Sequence, residues 1–467
     1  MKAFHSVAIP HKDILDKKLS LNVYAADLWE VFQGRGPDEY LDSQTFFDKT
    51  YMTKGLNNLL DVIGTRIKGD GGDPIIQIQT PFGGGKTHSM IALYHKAQEW
   101  DAKRSVIVGT ALSPKETLWG TIEKQITGKV ERFKGYVSPG KEAIRKLLEA
   151  HQPLLILMDE VLEYITKAAG VKVEASNLAA QSMAFLQELT EAVSTLEKTC
   201  LAVTLPSSLL EWYDDSAKQA YKQLTKNDSE RLYQQLQKVA GRVERIYTPV
   251  QDHEIAKIIR QRLFNNIDET EARTIVNKYL NYVENKQILP SGIVPSQYRD
   301  RFMDSYPFMP EVIDVLYHQW GTFTTFQRTR GVLRLLAMVV YSLKDSSKPY
   351  ISLADFDLND QAIRRELIKH IGGSKYDSVI DADVTGLDSG ATKVNDMLGD
   401  TYRGQKLGSR TATALFMHSF SGGGERGITP GELKRSAITL DTDSPAIIDT
   451  AIMKLKDKLY YLHSLGD

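Results

Sequence analysis

The sequence predicts an α/β fold built on a parallel sheet, followed by a helical module and a small C-terminal domain. In the first 250 residues, short apolar runs alternate with helical segments, a pattern typical of a parallel sheet covered on both faces. Beyond Pro249 the apolar runs stop and helical periodicity continues. These observations predict an N-terminal segment at 1–50, an α/β core at 51–250, a helical lid at 251–345 and a final domain at 346–467.

The composition is that of an ordinary globular protein. Of the 467 residues, 42% are hydrophobic and 25% are charged, which excludes a collagen-like or wholly disordered chain. The formal charge is -1, so any contact with nucleic acid has to be local. The single cysteine, Cys200, excludes an intramolecular disulfide and a cysteine zinc site. The N-terminus lacks the apolar run of a signal peptide and no stretch could span a bilayer, so we expect a cytoplasmic protein without membrane contact.

The individual elements follow from turn residues and periodicity. Strands are predicted over Ile75–Gln79, Ser105–Ala111, Leu154–Met158 and Cys200–Leu205, with Ile246–Val250 as a further candidate. Helices are predicted over Asn22–Phe32, Gly55–Lys68, Lys86–Gln98, Pro114–Ile126, Lys141–Ala150 and Asn177–Leu196. The helical module is predicted over Asp252–Phe264, Glu269–Glu284, Pro310–Trp320 and Thr325–Leu343, with Lys344–Pro349 as a linker.

A glycine-rich turn, TPFGGGKT at residues 80–87, separates the first predicted strand from the helix that follows it. It matches a phosphate-binding loop, except that Thr80 stands where the consensus has its first glycine. The glycines let main-chain N–H groups wrap around phosphates, and the helix N-terminus favours an anion. Lys86 is predicted to reach the β- and γ-phosphates of ATP, and Thr87 to contact Mg²⁺. The predicted nucleotide-binding residues are Phe82, Gly83, Gly84, Gly85, Lys86, Thr87 and His88.

Two consecutive carboxylates, Asp159 and Glu160, follow the strand predicted over Leu154–Met158. Asp159 is predicted to hold Mg²⁺, and Glu160, which points elsewhere, to orient the attacking water. The alternative is that the pair only ends a strand at the surface. The phosphate loop upstream favours the functional interpretation.

The strand predicted over Cys200–Leu205 ends close to two hydroxyl side chains. Thr204 and Ser207 are both candidates for a contact with the γ-phosphate or the water. A buried threonine that bonds only to the main chain is the alternative.

Two pairs of arginines follow the sheet in sequence. Arg242 and Arg245 precede the last apolar run, where either could act on a γ-phosphate bound by a neighbouring subunit, which implies a homo-oligomer. Arg330 and Arg334 are four residues apart in a predicted helix and share one face, from which one could reach the nucleotide phosphates. A solvated or salt-bridged pair is the alternative for Arg242 and Arg245. For Arg330 and Arg334 the alternative is an amphipathic helix with an exposed basic edge.

The order of these motifs resembles that of the AAA+ ATPases. The stretches YAADLWEVFQGRGPDEYLD, FFDKTYMTKGL, QTPFGGGKTHSMIALYH and FQRTRGVLRLLA are similar to one prokaryotic AAA+ family that is catalogued as a domain of unknown function. Members of that family often accompany DNA methyltransferases and helicases in anti-phage defence loci. The resemblance implies Walker A residues at Lys86 and Thr87 and Walker B residues at Asp159 and Glu160.

The resemblance also assigns the remaining candidates. Thr204 would be the sensor-1 residue, and Arg242 or Arg245 the arginine finger. Arg334 would be the sensor-2 residue, with Arg330 as its alternative. Thr80 departs from the general AAA+ loop at its first glycine.

The C-terminal segment has the element order of a winged helix. Helices are predicted over Gly427–Ile438 and Ser444–Lys458, and a strand over Leu459–Leu462. Lysines on the second helix could approach a DNA backbone, although a protein contact fits the weak charge equally well. The turn signal at Ser464–Asp467 has no returning strand, so we expect the chain to be a fragment of a longer protein.

The residues and the resemblance together predict a Mg²⁺-dependent ATP hydrolase that remodels or regulates a defence or DNA-modification complex directed at nucleic acid. A slow ATP-switched oligomeric scaffold and a winged-helix regulator without motor activity stay open as alternatives. The acidic pair argues against a purely structural nucleotide. His88 and His95, on one helix, are expected to pack rather than to bind a metal.

Overall fold

The computed structural model of the chain describes residues 1–18, 21–80, 84–206, 234, 246–289, 292–326, 328–423 and 426–463. The chain forms two compact units. One comprises Met1–Tyr24 together with Ala256–Asp467, and the other comprises Ala25–Ile255. No helix in the described part of the chain combines the length and the apolar character that a membrane span requires.

The strands are β1 (Ala8–Pro10), β2 (Ile75–Thr80), β3 (Lys103–Val108), β4 (Leu154–Asp159), β5 (Lys172–Val173), β6 (Ser176–Asn177), β7 (Thr199–Pro206), β8 (Ile246–Tyr247) and β9 (Phe264–Ile267). Five of them form a parallel sheet in the order β3-β4-β7-β2-β8. The predicted parallel sheet is therefore confirmed. Among the five strands of this sheet, β4 and β7 are third and fourth along the chain, and they lie between β3 and β2, the strand that precedes the glycine loop.

The helices of the first half are α1 (Phe4–Val7), α2 (Lys12–Leu15), α3 (Leu21–Tyr24), α4 (Leu28–Phe32), α5 (Asp38–Leu41), α6 (Ser43–Asp48), α7 (Lys54–Lys68), α8 (Lys86–Glu99), α9 (Leu118–Thr127), α10 (Lys141–Glu149), α11 (Val161–Ala168) and α12 (Leu178–Val193). Those of the second half are α13 (Ile255–Leu263), α14 (Glu269–Asn285), α15 (Pro295–Ser305), α16 (Pro310–Asp314), α17 (Thr329–Ser342), α18 (Gln361–Ile371), α19 (Lys375–Val379), α20 (Gly390–Met397), α21 (Asp400–Arg403), α22 (Leu407–His418), α23 (Pro430–Ala437) and α24 (Ala446–Lys458).

The sheet is buried on both faces because helices cover each of them, and successive side chains of a strand point to opposite faces. In β4, Leu154, Ile156 and Met158 join an apolar cluster with the helices α9 to α12. Leu155 and Leu157 join a second cluster with α4, α7 and α8 on the other face. This double burial explains why the strands read as continuous apolar runs in the sequence.

The prediction of one helix over Asn22–Phe32 is wrong in one respect, because the chain forms two short helices there. The first ends at Tyr24 and the second begins at Leu28. Asp27 lies between them with extended backbone, and its carboxylate accepts the N–H groups of Trp29 and Glu30. An N-terminal cap of this kind begins a new helix rather than continuing the old one.

The expectation that strands stop after Pro249 is also wrong. Strand β9 pairs with β1 in an antiparallel ladder that joins Ala8 to Ile267 and Pro10 to Phe264. The two partners lie about 250 residues apart in the sequence and are only three and four residues long. Short strands whose partner is so distant carry little local pattern, so their pairing could not be predicted.

Both predicted C-terminal helices are present as α23 and α24, but the strand predicted over Leu459–Leu462 is wrong. These residues are irregular, and the N–H groups of Tyr460 and Tyr461 donate to the carboxylate of Asp383 at 2.9 Å each. A side chain thus takes the hydrogen bonds that a neighbouring strand would have taken. The winged-helix assignment stays a prediction that now rests on the two helices.

Candidate functional site

The glycine loop lies between β2, which ends at Thr80, and α8, which begins at Lys86. Gly85 caps the helix with a φ of +83°, a left-handed conformation that favours glycine. Phe82 and Gly83, which were predicted to contact the nucleotide, lie outside the described residues, and Gly84 is buried. The described part of the loop therefore has the strand, glycine and helix order that phosphate binding requires.

Lys86 occupies the first turn of α8, a helix of 14 residues. Its ammonium group donates to the main-chain carbonyl of Thr80 at 3.3 Å, which places the charge beside the end of β2. The unpaired N–H groups and the dipole at such a helix N-terminus favour an anion. This end of the helix consequently combines three features that attract phosphate.

Asp159 is the last residue of β4, and its side chain is buried. The Thr204 hydroxyl on the adjacent strand β7 donates to its Oδ1 at 2.5 Å, and the Thr87 hydroxyl also hydrogen-bonds the carboxylate. Burial raises the pKa of the Asp159 carboxyl, although these hydrogen bonds and the charge of Lys86 oppose the shift. The structure thus brings together four of the predicted site residues.

Glu160 follows directly and begins α11 in a left-handed conformation, with a φ of +52°. Its N–H donates to the Thr204 hydroxyl at 3.2 Å, so this hydroxyl links Asp159 and Glu160. At the end of β3, Gly109 packs so closely that a Cβ atom would lie 1.9 Å from the Glu160 carbonyl oxygen. The turn that directs Glu160 away from Asp159 therefore requires glycine at position 109.

Three further residues support Glu160, and the sequence analysis missed them. The Thr110 hydroxyl donates to the Glu160 carboxylate at 2.7 Å. Lys167 on α11 donates to the carbonyl oxygens of Gly109 and Thr110 at 3.1 and 2.8 Å, which fixes this turn. The available signal was positional, since Gly109 and Thr110 follow a strand parallel to β4 and so reach the same edge of the sheet.

His88, the predicted neighbour of the loop, contacts α6 and Thr50, the second residue after that helix. Its Nε2 atom lies 3.0 Å from the Thr50 hydroxyl, and its ring packs on Phe46 with 4.6 Å between centroids. The Thr50 hydroxyl donates to the carbonyl of Phe46 and also lies within hydrogen-bond distance of Nε2 of His88. His88 thus ties the helix after the glycine loop to the segment before α7.

The roles predicted for the arginines stay predictions. Arg242 and Arg245 lie outside the described residues, as does Ser207. Arg330 and Arg334 lie on α17, in the other unit. The guanidinium of Arg334 forms an ion pair with the buried carboxylate of Glu366 on α18.

The residues at the sheet edge fit a magnesium ion held together with phosphate. Mg²⁺ prefers oxygen ligands and is commonly held by one or two carboxylates, waters and substrate phosphates rather than by a protein cage. Asp159 and Thr87 supply such oxygens, and in the described residues no group of three or more His, Cys, Asp or Glu side chains could hold a metal alone. Asp159 is also buried without an ion pair among the contacts described for it.

The strand order, the loop before α8 and the acidic pair at the end of β4 define a P-loop protein with the α/β fold of the AAA+ class. The chain belongs to the DUF499 family. The DUF499 N-terminal domain matches residues 3–116 and 113–243, and the DUF499 second domain matches residues 250–449.

No curated protein matches the chain. Among solved structures, the chain is similar to the ORC2 protein of Aeropyrum pernix in its ADPNP and ADP complexes, with 11% identity and a TM-score of 0.35. The similarity covers 90% of this chain and 98% of that one. At this TM-score it adds nothing to the assignment of the site.

Proposed function

We propose that the chain is a Mg²⁺-dependent ATPase that remodels or regulates a complex directed at nucleic acid. The observation that carries the proposal is the hydrogen-bonded group at the carboxyl edge of the sheet. Thr204 contacts Asp159 and Glu160, and Thr87 contacts Asp159, so residues from three separate stretches of sequence converge beside Lys86. Convergence of this kind at a parallel sheet edge supports a binding site.

Each residue has a role in this proposal. Gly84, Gly85 and the N-terminus of α8 would hold the phosphates, and Lys86 would neutralise their charge. Thr87 and Asp159 would hold Mg²⁺, which supplies charge stabilisation at the transferred phosphoryl group when bound. Glu160 would orient the water that attacks the terminal phosphorus, with ADP as leaving group.

The proposal also covers the assembly of the protein and its partners. An arginine from a neighbouring copy, Arg242 or Arg245, would stabilise the transition state, which requires a homo-oligomer. The partners proposed are DNA and proteins of DNA modification or anti-phage defence. This context is implied by the resemblance of the sequence to a family of unknown function, and the chain belongs to such a family, DUF499.

The test is steady-state ATP turnover by the full chain, with and without duplex DNA, beside Glu160→Gln. We expect turnover in the presence of Mg²⁺ that falls by at least about 100-fold in the variant, because the amide cannot take the role of the carboxylate. The matched control is Glu149→Gln on α10, an exposed carboxylate that pairs with Arg145 at 2.9 Å, and it should keep full turnover.

The outcomes separate the remaining alternatives. Turnover that rises with DNA supports a nucleic-acid-coupled ATPase. Slow, Glu160-dependent turnover that ignores DNA favours the ATP-switched scaffold. Turnover that survives in Glu160→Gln would refute the assigned role of this residue.

A further inference from the structure

An irregular segment of residues 128–140, here called the basic loop, joins α9 to α10. It begins and ends with glycines in positive-φ conformations, Gly128 at +88° and Gly140 at +84°. It contributes no residue to the proposed ATPase site and contains none of the motifs predicted from the sequence.

A buried carboxylate holds the first half of the basic loop. Glu123 on α9 accepts main-chain N–H groups from Glu131, Arg132 and Phe133 at 3.2, 2.8 and 2.9 Å. The Phe133 side chain is buried in the apolar cluster of α9 to α12. Arg132 and Lys134 on either side of it are exposed.

The second half of the basic loop is also fixed by hydrogen bonds. The indole N–H of Trp119 donates to the carbonyl of Gly135 at 3.2 Å. The Ser138 hydroxyl and the Gly140 N–H donate to the carboxylate of Glu188 on α12, at 2.5 and 3.2 Å. The backbone is thus fixed at several points although it has no regular structure, so it loses little entropy when the loop binds a partner.

The displayed charge is strongly positive for so short a stretch. The basic loop contains three Lys or Arg residues and one acidic residue, and Lys124 and Lys141 flank it, within a chain of net charge -1. Glu131 pairs with Lys129, and Lys141 pairs with Glu191. In the part of the chain that the structure describes, no acidic group lies within ion-pair distance of the exposed Lys124, Arg132 or Lys134.

An exposed aromatic ring lies beside these charges. Tyr136 is 40% exposed and its neighbour Val137 is 50% exposed. Unpaired nucleic acid is bound by positive side chains along the phosphates together with aromatic rings on which bases stack. An acidic protein would use the charges but would not need the ring, and the bases of a duplex are already stacked on each other.

We propose that the basic loop binds single-stranded nucleic acid, with Arg132 and Lys134 on the phosphates and Tyr136 stacked on a base. This inference deepens the proposed function and rests on it for its biological setting, since it names a surface and a ligand for the nucleic-acid-directed role. Binding at the loop needs no nucleotide, so the two proposals can fail separately.

The test measures fluorescence anisotropy of a labelled oligodeoxynucleotide of about 20 nucleotides with the full chain and no ATP. We expect the single strand to bind more tightly than a duplex of the same sequence. The double variant Arg132→Ala/Lys134→Ala should weaken binding at least about tenfold and reduce the slope of log K against log salt by about 1.4, or about 0.7 per lost phosphate contact.

A charge-matched control removes one Arg and one Lys from another exposed surface. Arg273→Ala/Lys278→Ala on α14 does so, since both side chains are exposed there. This variant should bind the single strand as the wild type does. Equal weakening in the two double variants would show a diffuse charge effect and overturn the proposal.

Variants at Tyr136 distinguish the contribution of base stacking from that of charge. Tyr136→Ala should weaken binding of the single strand at least about fivefold, whereas Tyr136→Phe should retain it, because stacking needs the ring and not the hydroxyl. Three results would each overturn the proposal. They are an unchanged affinity of Tyr136→Ala for the single strand, a duplex that binds as tightly as the single strand, and no binding of the single strand at about 50 mM salt.

ATP turnover distinguishes failure of this proposal from failure of the proposed function. The loop variants should keep the basal turnover of the wild type, and Lys86→Ala should keep single-strand binding. Loss of basal turnover in Arg132→Ala/Lys134→Ala would overturn the assignment of these residues to binding alone.

Discussion

Two buried aspartates, one in each compact unit, are held in opposite ways. Asp159 at the end of β4 accepts hydroxyl groups from Thr204 and Thr87. Asp355, in the turn before α18, forms ion pairs with Arg410 and with Lys348, the latter at 2.5 Å. Ser352 adds two further hydrogen bonds to Asp355, at 2.8 and 2.7 Å.

The two environments move the carboxyl pKa in opposite directions. Burial raises the pKa of Asp159, and its neighbours only partly oppose this. Burial also acts on Asp355, but the charges of Arg410 and Lys348 outweigh it and hold that pKa well below its ordinary range. A buried carboxylate already neutralised by two cations serves the fold, whereas one supported mainly by hydroxyl groups leaves its charge available to a bound cation.

The largest expected effect is on stability, from Asp355→Ala. The substitution leaves the buried guanidinium of Arg410 without its carboxylate, and breaking a buried pair in this way costs about 3–5 kcal/mol. Urea unfolding of the full chain measures the loss. The control is Asp388→Ala, whose exposed carboxylate pairs with Lys393 at 3.1 Å and should contribute less than about 1 kcal/mol.

The same pair predicts a pH dependence. Because the pKa of Asp355 is lower in the folded chain than in the unfolded chain, its stabilisation is complete above about pH 4 and is lost as the pH falls through the folded pKa. The difference in unfolding free energy between wild type and Asp355→Ala should therefore be constant near neutrality and narrow below about pH 4. A difference that widens in acid would contradict the assigned ion pairs.

The next effect falls on activity, from Asp159→Asn. The amide keeps the size of the side chain and can still accept from Thr204, but it cannot neutralise Mg²⁺, so turnover should fall at least about 100-fold. The free energy of unfolding should stay equal or rise, because a buried charge has been removed. Enzymatic turnover and urea unfolding of the same preparation test both statements.

A matched control uses the other edge of the same sheet. Asp73 precedes β2 and accepts the Tyr247 hydroxyl at 2.7 Å, so Asp73→Asn should leave turnover unchanged. If Asp159→Asn unfolds the chain, or if both variants lose activity equally, the proposed contrast between a structural and a functional aspartate is wrong.

Much of the sheet could be predicted from the sequence, because both of its faces are buried. Four strands were placed within three residues at either end, since continuous apolar runs such as Leu154–Met158 stand out against their turns. The β1–β9 pair and the segment after Lys458 could not be predicted. Their hydrogen bonds go to partners far away in the sequence, such as Asp383.

The candidate site, too, could be predicted from the sequence only in part. The nearness of Lys86, Thr87, Asp159 and Thr204 follows from strand order, because the carboxyl ends of parallel strands meet at one edge. Gly109 and Thr110 were missed because neither belongs to a recognisable motif. Their importance comes from a close approach to Glu160 that only coordinates reveal.

The smallest effect expected concerns this missed support, through Thr110→Val. Valine matches threonine in shape but cannot donate to the Glu160 carboxylate, so Glu160 loses one fixed oxygen and gains rotational freedom. A lost hydrogen bond to a charged acceptor of this kind is worth about 1.5 kcal/mol, so kcat should fall about tenfold while the KM for ATP is retained. Thr110→Ser, which keeps the hydroxyl, should recover most of the rate.

The sign of that change decides what the Thr110 hydroxyl does for Glu160. A lower kcat with rescue by serine means that the hydrogen bond positions the carboxylate for the water. A higher kcat in Thr110→Val would mean that the bond restrains Glu160 away from the water, and the role assigned to Thr110 would be reversed. In either case the stability of the chain should change little, because Thr110 is exposed at the turn after β3. A change in kcat without a change in stability would show that Thr110 serves catalysis, as proposed for Asp159, rather than the stability of the fold, as proposed for Asp355.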